Sequence, residues 1–472
     1  MNMLKSMYDS VQACVRWNSR LSPFFECPVG TKQGAKESPI LFSLYINHVA
    51  KFVRLHGKHG VQLSSGRDEI FFLLFADDVA LLATTPTGLQ TQIDNLEYAS
   101  KSVGLKVNIN KSKVMVFRRG GFLSKGEKWF MGGNEIEIVN AYKYLGYTFT
   151  TKLSETVALG SVVTKAKQKA LTLLKTTWTL RSCKPELFFK MFDAQVQPSL
   201  LYASELWGIK EKTKIESAHM FACKKFLNVD VKTPNSLIYG ELGRFPLVIN
   251  STIRAVKYWL KILKMPDNRL PKQALLMLSK TTIPDNLNWL KYIEDCLCKY
   301  GFAYIWYNRG TANEHSFLRN LKVRLQDCYR QEWCHRIHIS ERFAMYRAIK
   351  HDFQCEKYMS SLEITKFKVA LVRFRFGRND LRCNAYNIVD RHCPMCTDCI
   401  EDEPHLLLNC KLYKDLRKKY LVSYIDYMNS RGLSYTFLIN GEGFIKTKKV
   451  AMFVYYAMKC RRNFLEKEHL SI

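Results

Sequence analysis

The apolar positions of the first 150 residues follow two periods, alternation in some segments and a helical repeat in others. Residues 69–85, EIFFLLFADDVALLATT, place β-branched and aromatic residues on both sides of two adjacent aspartates, and no helical stripe fits the run. The pattern predicts two strands joined by a tight turn at Asp77 and Asp78. The alternative is a turn in which aspartate has only its usual turn-forming role. The apolar flanks on both sides instead favour a chemical role for the two carboxylates. Mg²⁺ prefers carboxylate oxygens as ligands.

Helical spacing appears on both sides of this hairpin. One helix is predicted to begin at Ser38 and Pro39, a natural N-cap and first helical residue, and another to end at Gly104. In chain order the patterns predict a helix over 3–16, a strand near 22–30, the helix from Ser38, the hairpin at 69–85, a helix over 88–104, a hairpin at 105–117 and a strand pair at 135–150. This order is that of an α/β palm, whereas the later residues are mostly helical in period.

Length, charge and cysteine content narrow the class of protein. A chain of 472 residues is expected to form about two to four domains. The 72 Lys and Arg against 42 Asp and Glu give a formal charge of +30, which favours a polyanionic partner, either nucleic acid or an acidic membrane surface. Apolar stretches such as 451–458 are far shorter than the roughly 20 residues that cross a bilayer. The 15 scattered cysteines and the absence of a signal-peptide pattern predict a reducing compartment.

A candidate metal site lies near the carboxyl end, in residues 393–410, CPMCTDCIEDEPHLLLNC. Its C-x2-C-x8-H-x4-C spacing suits tetrahedral Zn²⁺, with free buried cysteines as the alternative. The four predicted ligands are Cys393, Cys396, His405 and Cys410. Cys399 is a spare thiol that could substitute as a ligand, while Cys383 and His392 are expected to have structural roles.

Two basic segments are candidates for nucleic-acid contact. Residues 366–382 interleave basic and aromatic side chains. The segment either binds a nucleic-acid phosphate backbone or forms the solvated face of an amphipathic helix. Residues 155–178 are predicted to be a helix whose Lys165, Lys167 and Lys169 either follow a nucleic-acid duplex or face solvent. For 270–360 the pattern predicts helix without identifiable chemistry.

Four blocks in residues 29–150 carry a family resemblance. In order they read VGTKQGAKESPILFSLYIN, FADDVALLA, GLKVNINKSKVMVF and YKYLGYTF. The set resembles the reverse transcriptases of non-LTR retrotransposons, and four blocks in order are far more specific than an isolated FADD. Residues 195–208 and 236–247 also resemble the helical segment that follows the palm in these elements. A cysteine and histidine cluster near the end of such chains strengthens the zinc prediction.

The resemblance implies roles for particular residues. Asp77 and Asp78 match the carboxylate pair of the polymerase box, which holds Mg²⁺ for joining a 3′-hydroxyl to an α-phosphate. The other residues implied to lie near the nucleotide or the primer are Lys32, Gln33, Gly34, Lys111, Tyr144, Leu145 and Gly146. Of these, Gln33 and Gly34 match the loop beside the incoming nucleotide, and the last three match the hairpin that holds the primer end.

The resemblance also implies a third metal-binding aspartate on an earlier strand. Only 31 residues precede Lys32, and their one aspartate, Asp9, lies in a segment that resembles the helix after that strand. The first catalytic aspartate is therefore expected to be absent from these 472 residues. The same holds for the fingers, the polymerase subdomain that grips template and nucleotide in this family. Ala35 and Glu37 also depart from the family, which commonly has cysteine and an apolar residue there.

The expected architecture is α+β: an incomplete palm of antiparallel sheet with helices, then a mostly helical thumb and carboxyl-terminal region with a small zinc knuckle. The predicted boundaries are 1–150 for the partial palm, 151–260 for the thumb, 261–380 for a helical connector and 381–472 for the knuckle region. By resemblance, the partners of the intact enzyme are an RNA template, a DNA primer and deoxynucleotides, in nucleus and cytoplasm.

Three functions are compatible with these patterns. The chain is a piece of an RNA-directed DNA polymerase, inactive by itself, or a non-catalytic nucleic-acid-binding module that uses its basic surface and zinc knuckle. A helical structural protein with an incidental Asp-Asp hairpin is the weakest of the three. A third aspartate on an earlier strand would distinguish the first from the second.

Overall fold

The computed structural model describes residues 6–32, 34–57, 59–63, 69–118, 121, 123, 127–180, 184–208, 212–280, 288–384, 390–440 and 444–468, without the side chains of 444–446. The chain forms two compact units. Unit 1 comprises residues 1–154 and 267–281, and unit 2 comprises residues 155–266 and 282–472. The overall class is mixed α and β, mainly helical with small sheets, as the α+β prediction expects.

In the part of the chain that the structure describes, unit 1 contains the strands, three longer helices and a helical turn at residues 6–8. The longer helices are α1 Ser38–His56, α2 Pro86–Ser102 and α10 Leu270–Lys280. The strands are β1 Gln12–Ala13, β2 Arg16–Trp17, β3 Arg20–Leu21, β4 Phe25–Glu26, β5 Val61–Gln62, β6 Glu69–Ile70, β7 Phe72–Phe75, β8 Asp78–Leu81, β9 Phe130–Met131, β10 Asn134–Glu135, β11 Ala141–Tyr144 and β12 Tyr147–Thr150. They form six separate antiparallel pairs: β1–β4, β2–β3, β5–β6, β7–β8, β9–β10 and β11–β12.

The core of unit 1 forms where α1 and α2 cover the β7–β8 hairpin. Val49 and Val53 of α1, Leu96 of α2 and Phe72 of β7 are buried in one apolar cluster. The helix α2 begins after Thr85, whose side-chain oxygen accepts a hydrogen bond from the Gly88 amide at 3.1 Å. The strands of the hairpin therefore pack on this cluster, whereas the turn of the hairpin is exposed.

Several local predictions for unit 1 need correction. The predicted helix over 3–16 is wrong beyond residue 8, because Gln12–Ala13 pairs with Phe25–Glu26 as a short strand. Residues 105–117 form no hairpin: Val114 makes one isolated parallel bridge to Ile138. Helix α1 does begin at Ser38, but the Ser38 hydroxyl donates to the Lys32 carbonyl at 2.6 Å instead of capping the helix.

The predicted antiparallel sheet is likewise present only as strand pairs within the residues that the structure describes. Strand pairing is non-local, and alternation of side chains does not reveal which strands meet.

Unit 2 is helical in all of its described elements. Its α-helices are α3 Glu155–Thr179, α4 Pro185–Gln195, α5 Gln197–Leu200, α6 Ser204–Trp207, α7 Lys212–Leu227, α8 Asn235–Leu242, α9 Val248–Leu263, α11 Trp289–Lys299, α12 Ala303–Tyr307, α13 Glu314–Ile339, α14 Ala344–Ile349, α15 Lys357–Ser361, α16 Thr365–Arg375, α17 Lys414–Tyr420, α18 Val422–Ser430, α19 Thr436–Ile439 and α20 Phe444–Lys467. Short 3₁₀ segments lie at Glu341–Phe343, Arg382–Asn384 and Lys411–Tyr413, and a π-helical turn lies at His405–Asn409. The predicted helix over 155–178 is confirmed by α3.

Unit 2 has an apolar core crossed by a buried polar network. Arg375 of α16 is fully buried and donates to the Glu241 carboxylate of α8 at 2.7 Å and to the Ile439 carbonyl of α19 at 2.9 Å. The Tyr358 hydroxyl donates to the same carboxylate. Because a buried charge is tolerated only when it is paired and hydrogen-bonded, this network links the four helices α8, α15, α16 and α19. In the described residues, no helix combines the length and apolar character that crossing a membrane requires.

Candidate functional site

Asp77 and Asp78 lie at the turn of the β7–β8 hairpin. Phe75 pairs with Asp78, so Ala76 and Asp77 form a two-residue turn and Asp78 is the first residue of β8. Both aspartates are exposed, although the flanking strands pack on the core. The two carboxylates are therefore exposed to solvent at the end of a hairpin whose strands pack on the core of unit 1.

The backbone of this turn is strained. Ala76 has φ 53°, a left-handed conformation that costs a residue with a side chain about 1–2 kcal/mol. Glycine commonly occupies the first central position of such two-residue turns because it has no side-chain penalty. Strain of this kind is typical of functional sites, where the surrounding structure holds it in place.

A second hairpin, β11–β12, lies close to the aspartates. It turns through Leu145 and Gly146, with φ 46° and φ 84°, after Tyr144 pairs with Tyr147. Burial raises the pKa of the Tyr144 hydroxyl, and the negative charge of Asp78 raises it further. The structure thus brings Tyr144 and Asp78, which are far apart in sequence, into one site.

Of the other predicted residues, Lys111 contacts the second hairpin, while Lys32 and Gly34 lie in the loop before α1. Lys111 is tied to β11 through its carbonyl, which accepts a hydrogen bond from the Tyr142 hydroxyl at 3.0 Å. Lys32 and Gly34 are exposed in the loop before α1, and Gly34 has φ 88°, a conformation that favours glycine. Gln33 lies outside the described residues.

No third ligand completes a metal site at the aspartates. Within the described residues, no third His, Cys, Asp or Glu joins Asp77 and Asp78 in a group with metal-binding geometry. Asp9, the aspartate nearest the amino terminus, belongs to no such group either. The carboxylate pair is therefore two members of a potential site.

The four predicted zinc ligands do come together in unit 2. The ligand atoms of Cys393, Cys396, His405 and Cys410 all lie within 4.8 Å of one another. The Cys410 sulfur is 3.7 Å from that of Cys393 and 3.8 Å from that of Cys396. Zn–S bonds of about 2.3 Å at tetrahedral angles place sulfurs about 3.8 Å apart, so the sulfurs have the separation that Zn²⁺ requires.

The chemistry of these groups also fits a metal ion. Nε2 of His405 is buried without a hydrogen-bond partner, and in the tautomer with the proton on Nδ1 this atom offers a lone pair to a metal ion. The sulfurs of Cys393 and Cys410 share a hydrogen bond, which lowers the pKa of Cys393 and raises that of Cys410. The cluster thus favours at least one thiolate, which is the form that binds Zn²⁺.

Neighbouring backbone and side chains hold the four ligands. The loop containing Cys393 and Cys396 is closed by an antiparallel bridge between His392 and Ile400. Arg417 of α17 donates to the Leu406 carbonyl at 3.3 Å and to the Cys410 carbonyl. Arg417 is not recognisable from the sequence, because it lies in the lysine-rich segment KDLRKKY, which is typical of a solvated helix face.

Three nearby residues stay outside the cluster. Cys399 is exposed and is not among the four grouped ligands. His392 is exposed and pairs with Asp390 at 2.8 Å, and burial raises the pKa of Cys383 to about 12. The structural roles of Cys383 and His392 stay predictions.

Unit 1 matches a known family. Residues 2–149 match the model of the reverse transcriptase (RNA-dependent DNA polymerase) family, and the match includes both hairpins described above. This segment is similar to reverse transcriptases, and the chain as a whole is similar to proteins of non-LTR retrotransposons.

Retrotransposon proteins of insects are among its relatives. The chain is 20% identical over 472 residues to the 115 kDa protein of retrotransposable element R1DM of Drosophila melanogaster, which covers 96% of this chain and 40% of that protein. It is 23% identical over 223 residues to the Pol polyprotein of the R2 element of Popillia japonica, covering 45% of this chain and 30% of that protein. The chain thus spans less than half the length of these relatives.

Proposed function

We propose that Asp77 and Asp78 are two of the metal-binding carboxylates of an RNA-directed DNA polymerase, whose template is RNA and whose primer is DNA. The observation that carries this proposal is the exposed aspartate pair on a core-supported turn, beside the Tyr144 hairpin, within a reverse transcriptase segment. Two Mg²⁺ ions, when bound, stabilise the attacking 3′-oxygen and the leaving oxygen. The carboxylates orient the ions, and the Leu145-Gly146 turn supports the primer end.

We assign the domains of the proposed polymerase to the residue ranges predicted from the sequence. Residues 1–150 form part of a palm, 151–260 a thumb, 261–380 a helical connector and 381–472 a knuckle region. In α3, Lys165 and Lys169 are exposed, while Lys167 lies 5.6 Å from the ring centroid of Phe221. Exposed lysines on a long helix support binding of α3 to the template–primer duplex. We propose that this binding takes place in the nucleus or the cytoplasm, where the RNA template occurs.

Because no third ligand joins the aspartates in the described residues, we expect the 472-residue polypeptide not to extend a primer by itself. Primer extension on RNA with Mg²⁺ or Mn²⁺ should not exceed that of the variant Asp77→Asn/Asp78→Asn. Extension above that variant would contradict the expected inactivity and would support the polymerase role directly.

Metal contact at the pair can be tested without activity. Fe²⁺ bound in place of Mg²⁺ generates hydroxyl radicals that cut the nearby backbone, so cuts are expected close to residues 77 and 78. The cuts should be lost in Asp77→Asn/Asp78→Asn. They should persist in the matched control Glu135→Gln/Glu137→Gln, which removes two exposed carboxylates that are each paired with a lysine. Equal cutting in both variants would contradict the proposal.

A second candidate function is nucleic-acid binding supported by a zinc knuckle. The specific observation in its favour is the tetrahedral spacing of the three sulfurs and the unpartnered His405 nitrogen. Cys393, Cys396, His405 and Cys410 would hold Zn²⁺, which when bound would link the loop to the π-helical turn.

Metal analysis tests the zinc site. Protein purified under reducing conditions should contain about one Zn²⁺ per chain, because the four ligands form one tetrahedral set. The variant Cys393→Ser/Cys396→Ser should contain none. Cys399→Ser, which removes an exposed thiol from the same loop, should keep the metal. Absence of zinc from the unmodified chain would eliminate this site.

A further inference from the structure

Three tyrosines from two helices of unit 2 meet on one surface. Tyr420 ends α17, and Tyr455 and Tyr456 lie in α20; we call these three residues the tyrosine patch. The rings of Tyr420 and Tyr456 are nearly parallel, with an interplanar angle of 7° and centroids 5.9 Å apart. Tyr455 meets Tyr456 edge to face at 5.3 Å. The three rings are partly exposed, so they offer aromatic surface to solvent.

The patch rests on a rigid base. Phe367 of α16 is buried beneath it and contacts Tyr455 edge to face, with centroids 5.3 Å apart. Helices α16 and α17 both pack against α20. The rings are therefore held in place before any partner binds, which reduces the entropy lost on binding.

Lysines surround the patch. Nζ of Lys366 is 5.2 Å from the Tyr455 centroid, Nζ of Lys419 is 5.4 Å from that of Tyr420, and Lys449 lies over the adjacent Tyr424 at 5.7 Å. All three lysines are exposed. Apart from the buried Lys368, Arg375 and Arg461, most of the described Lys and Arg side chains of α16, α17 and α20 are exposed, and only α17 and α20 contain an acidic residue, one each. A partner of this surface must carry negative charge.

The tyrosine hydroxyls add polar specificity. None of the three hydroxyls makes a hydrogen bond to a residue in the described part of the chain. A tyrosine that served only the core would bury its hydroxyl against a partner. Because the three residues are partly exposed and their hydroxyls have no partner among the described residues, the hydroxyls can donate to or accept from a polar ligand.

We propose that the tyrosine patch binds single-stranded RNA. Bases stack on the exposed rings, Lys366, Lys419 and Lys449 neutralise backbone phosphates, and the free hydroxyls hydrogen-bond to ribose 2′-hydroxyls. A duplex is excluded because its bases are already stacked on one another. The site lies in unit 2 and needs neither Asp77 nor Asp78, so it stands independently of the polymerase proposal.

Binding of a fluorescein-labelled 15-nucleotide RNA of unstructured sequence to the full chain tests the patch. Tyr420→Leu/Tyr456→Leu should weaken binding about tenfold or more, because base stacking on aromatic rings is lost while the charges remain. The slope of log affinity against log salt should stay unchanged in this variant. Circular dichroism confirms that the variant is folded.

A second variant removes only exposed charges and does not depend on ring packing. Lys366→Gln/Lys419→Gln/Lys449→Gln should reduce the salt slope by about 2, because each phosphate contact on a single strand contributes about 0.7. The matched control Lys257→Gln/Lys261→Gln/Lys322→Gln removes three exposed lysines of α9 and α13. Equal weakening in the control and patch variants would overturn the proposal.

Competitors and a hydroxyl-removing variant test the choice of RNA. Unlabelled RNA of the same sequence should compete several-fold better than the matching DNA, and a 15-base-pair RNA duplex should compete poorly. Tyr420→Phe/Tyr455→Phe/Tyr456→Phe should remove the preference over DNA while retaining the stacking. Equal competition by DNA, or competition only by phosphatidylserine vesicles, would overturn the assignment to RNA. Asp77→Asn/Asp78→Asn should bind the RNA normally, which separates this result from the polymerase proposal.

Discussion

Glu401 and Arg461 form a buried ion pair that joins the metal-ligand region to α20. The Arg461 guanidinium donates to both carboxylate oxygens, at 2.6 and 2.7 Å, and the Arg382 amide donates to the same carboxylate at 2.9 Å. The two side chains are only 3% and 4% exposed. Leaving such a charge without its partner in the interior is costly, whereas the intact pair contributes little net stability.

Arg461→Met should therefore lower the free energy of unfolding by about 3–5 kcal/mol, because Glu401 remains buried without a cation. Arg461→Met/Glu401→Gln should recover part of this loss, since the buried charge is then gone. The measurement is urea unfolding followed by tryptophan fluorescence, to which unit 2 contributes six of the eight tryptophans.

Arg462→Met is the matched control for this prediction. Arg462 is the next residue along α20, and its pair with Asp380 is 60% and 54% exposed with a distance of 3.8 Å. Removing an exposed pair changes stability by about 0.5 kcal/mol or less. A similar loss in Arg461→Met and Arg462→Met would show that burial of the pair is unimportant.

At the scale of elements, two helical glycines have opposite surroundings. Gly160 in α3 is exposed, and a Cβ added there would meet nothing within 4 Å. Gly240 in α8 is buried, and a Cβ would lie 2.7 Å from the Trp333 ring and 2.8 Å from the Tyr346 hydroxyl. Glycine allows α8 to approach α13 and α14 closely, whereas in α3 it only weakens the helix.

Gly160→Ala should thus raise the free energy of unfolding by up to about 1 kcal/mol, from reduced entropy of the unfolded chain and better helix propensity. Gly240→Ala should lower it by about 1–3 kcal/mol, because the tightly packed neighbours must move. Thermal unfolding of the two variants checks both signs. Stabilisation by Gly240→Ala would mean that α8 is packed less closely than the structure shows.

At the scale of the whole molecule, the charge of +30 dominates the interactions expected with nucleic acid. Affinity for a single-stranded oligonucleotide should fall steeply between about 50 and 200 mM NaCl, roughly three-hundredfold if about six phosphates are contacted. Fluorescence anisotropy over a salt series measures this slope. Binding that does not depend on salt, or no binding, would contradict both candidate functions.

Prediction from sequence succeeded where the interactions are local. Helix α3 was predicted over nearly its full length, because helical hydrogen bonds join residues four apart and the apolar repeat reports the buried face. The hairpin that presents Asp77 and Asp78 was also predicted, since two apolar runs rich in β-branched and aromatic residues with a short polar break favour a hairpin. The helix predicted over 3–16 was wrong, because pairing of Gln12–Ala13 with Phe25–Glu26 overrode local propensity.

The sequence by itself determined the class of protein, the aspartate pair and the identity of the four candidate metal ligands, because these depend on residue type and short spacing. Only the tertiary structure decided that Tyr144 lies beside Asp78, that the sulfurs stand 3.7 and 3.8 Å apart, and that Tyr420 stacks on Tyr456. These contacts join residues distant in the chain. They depend on how helices and hairpins pack, which the local pattern of apolar and polar residues does not specify.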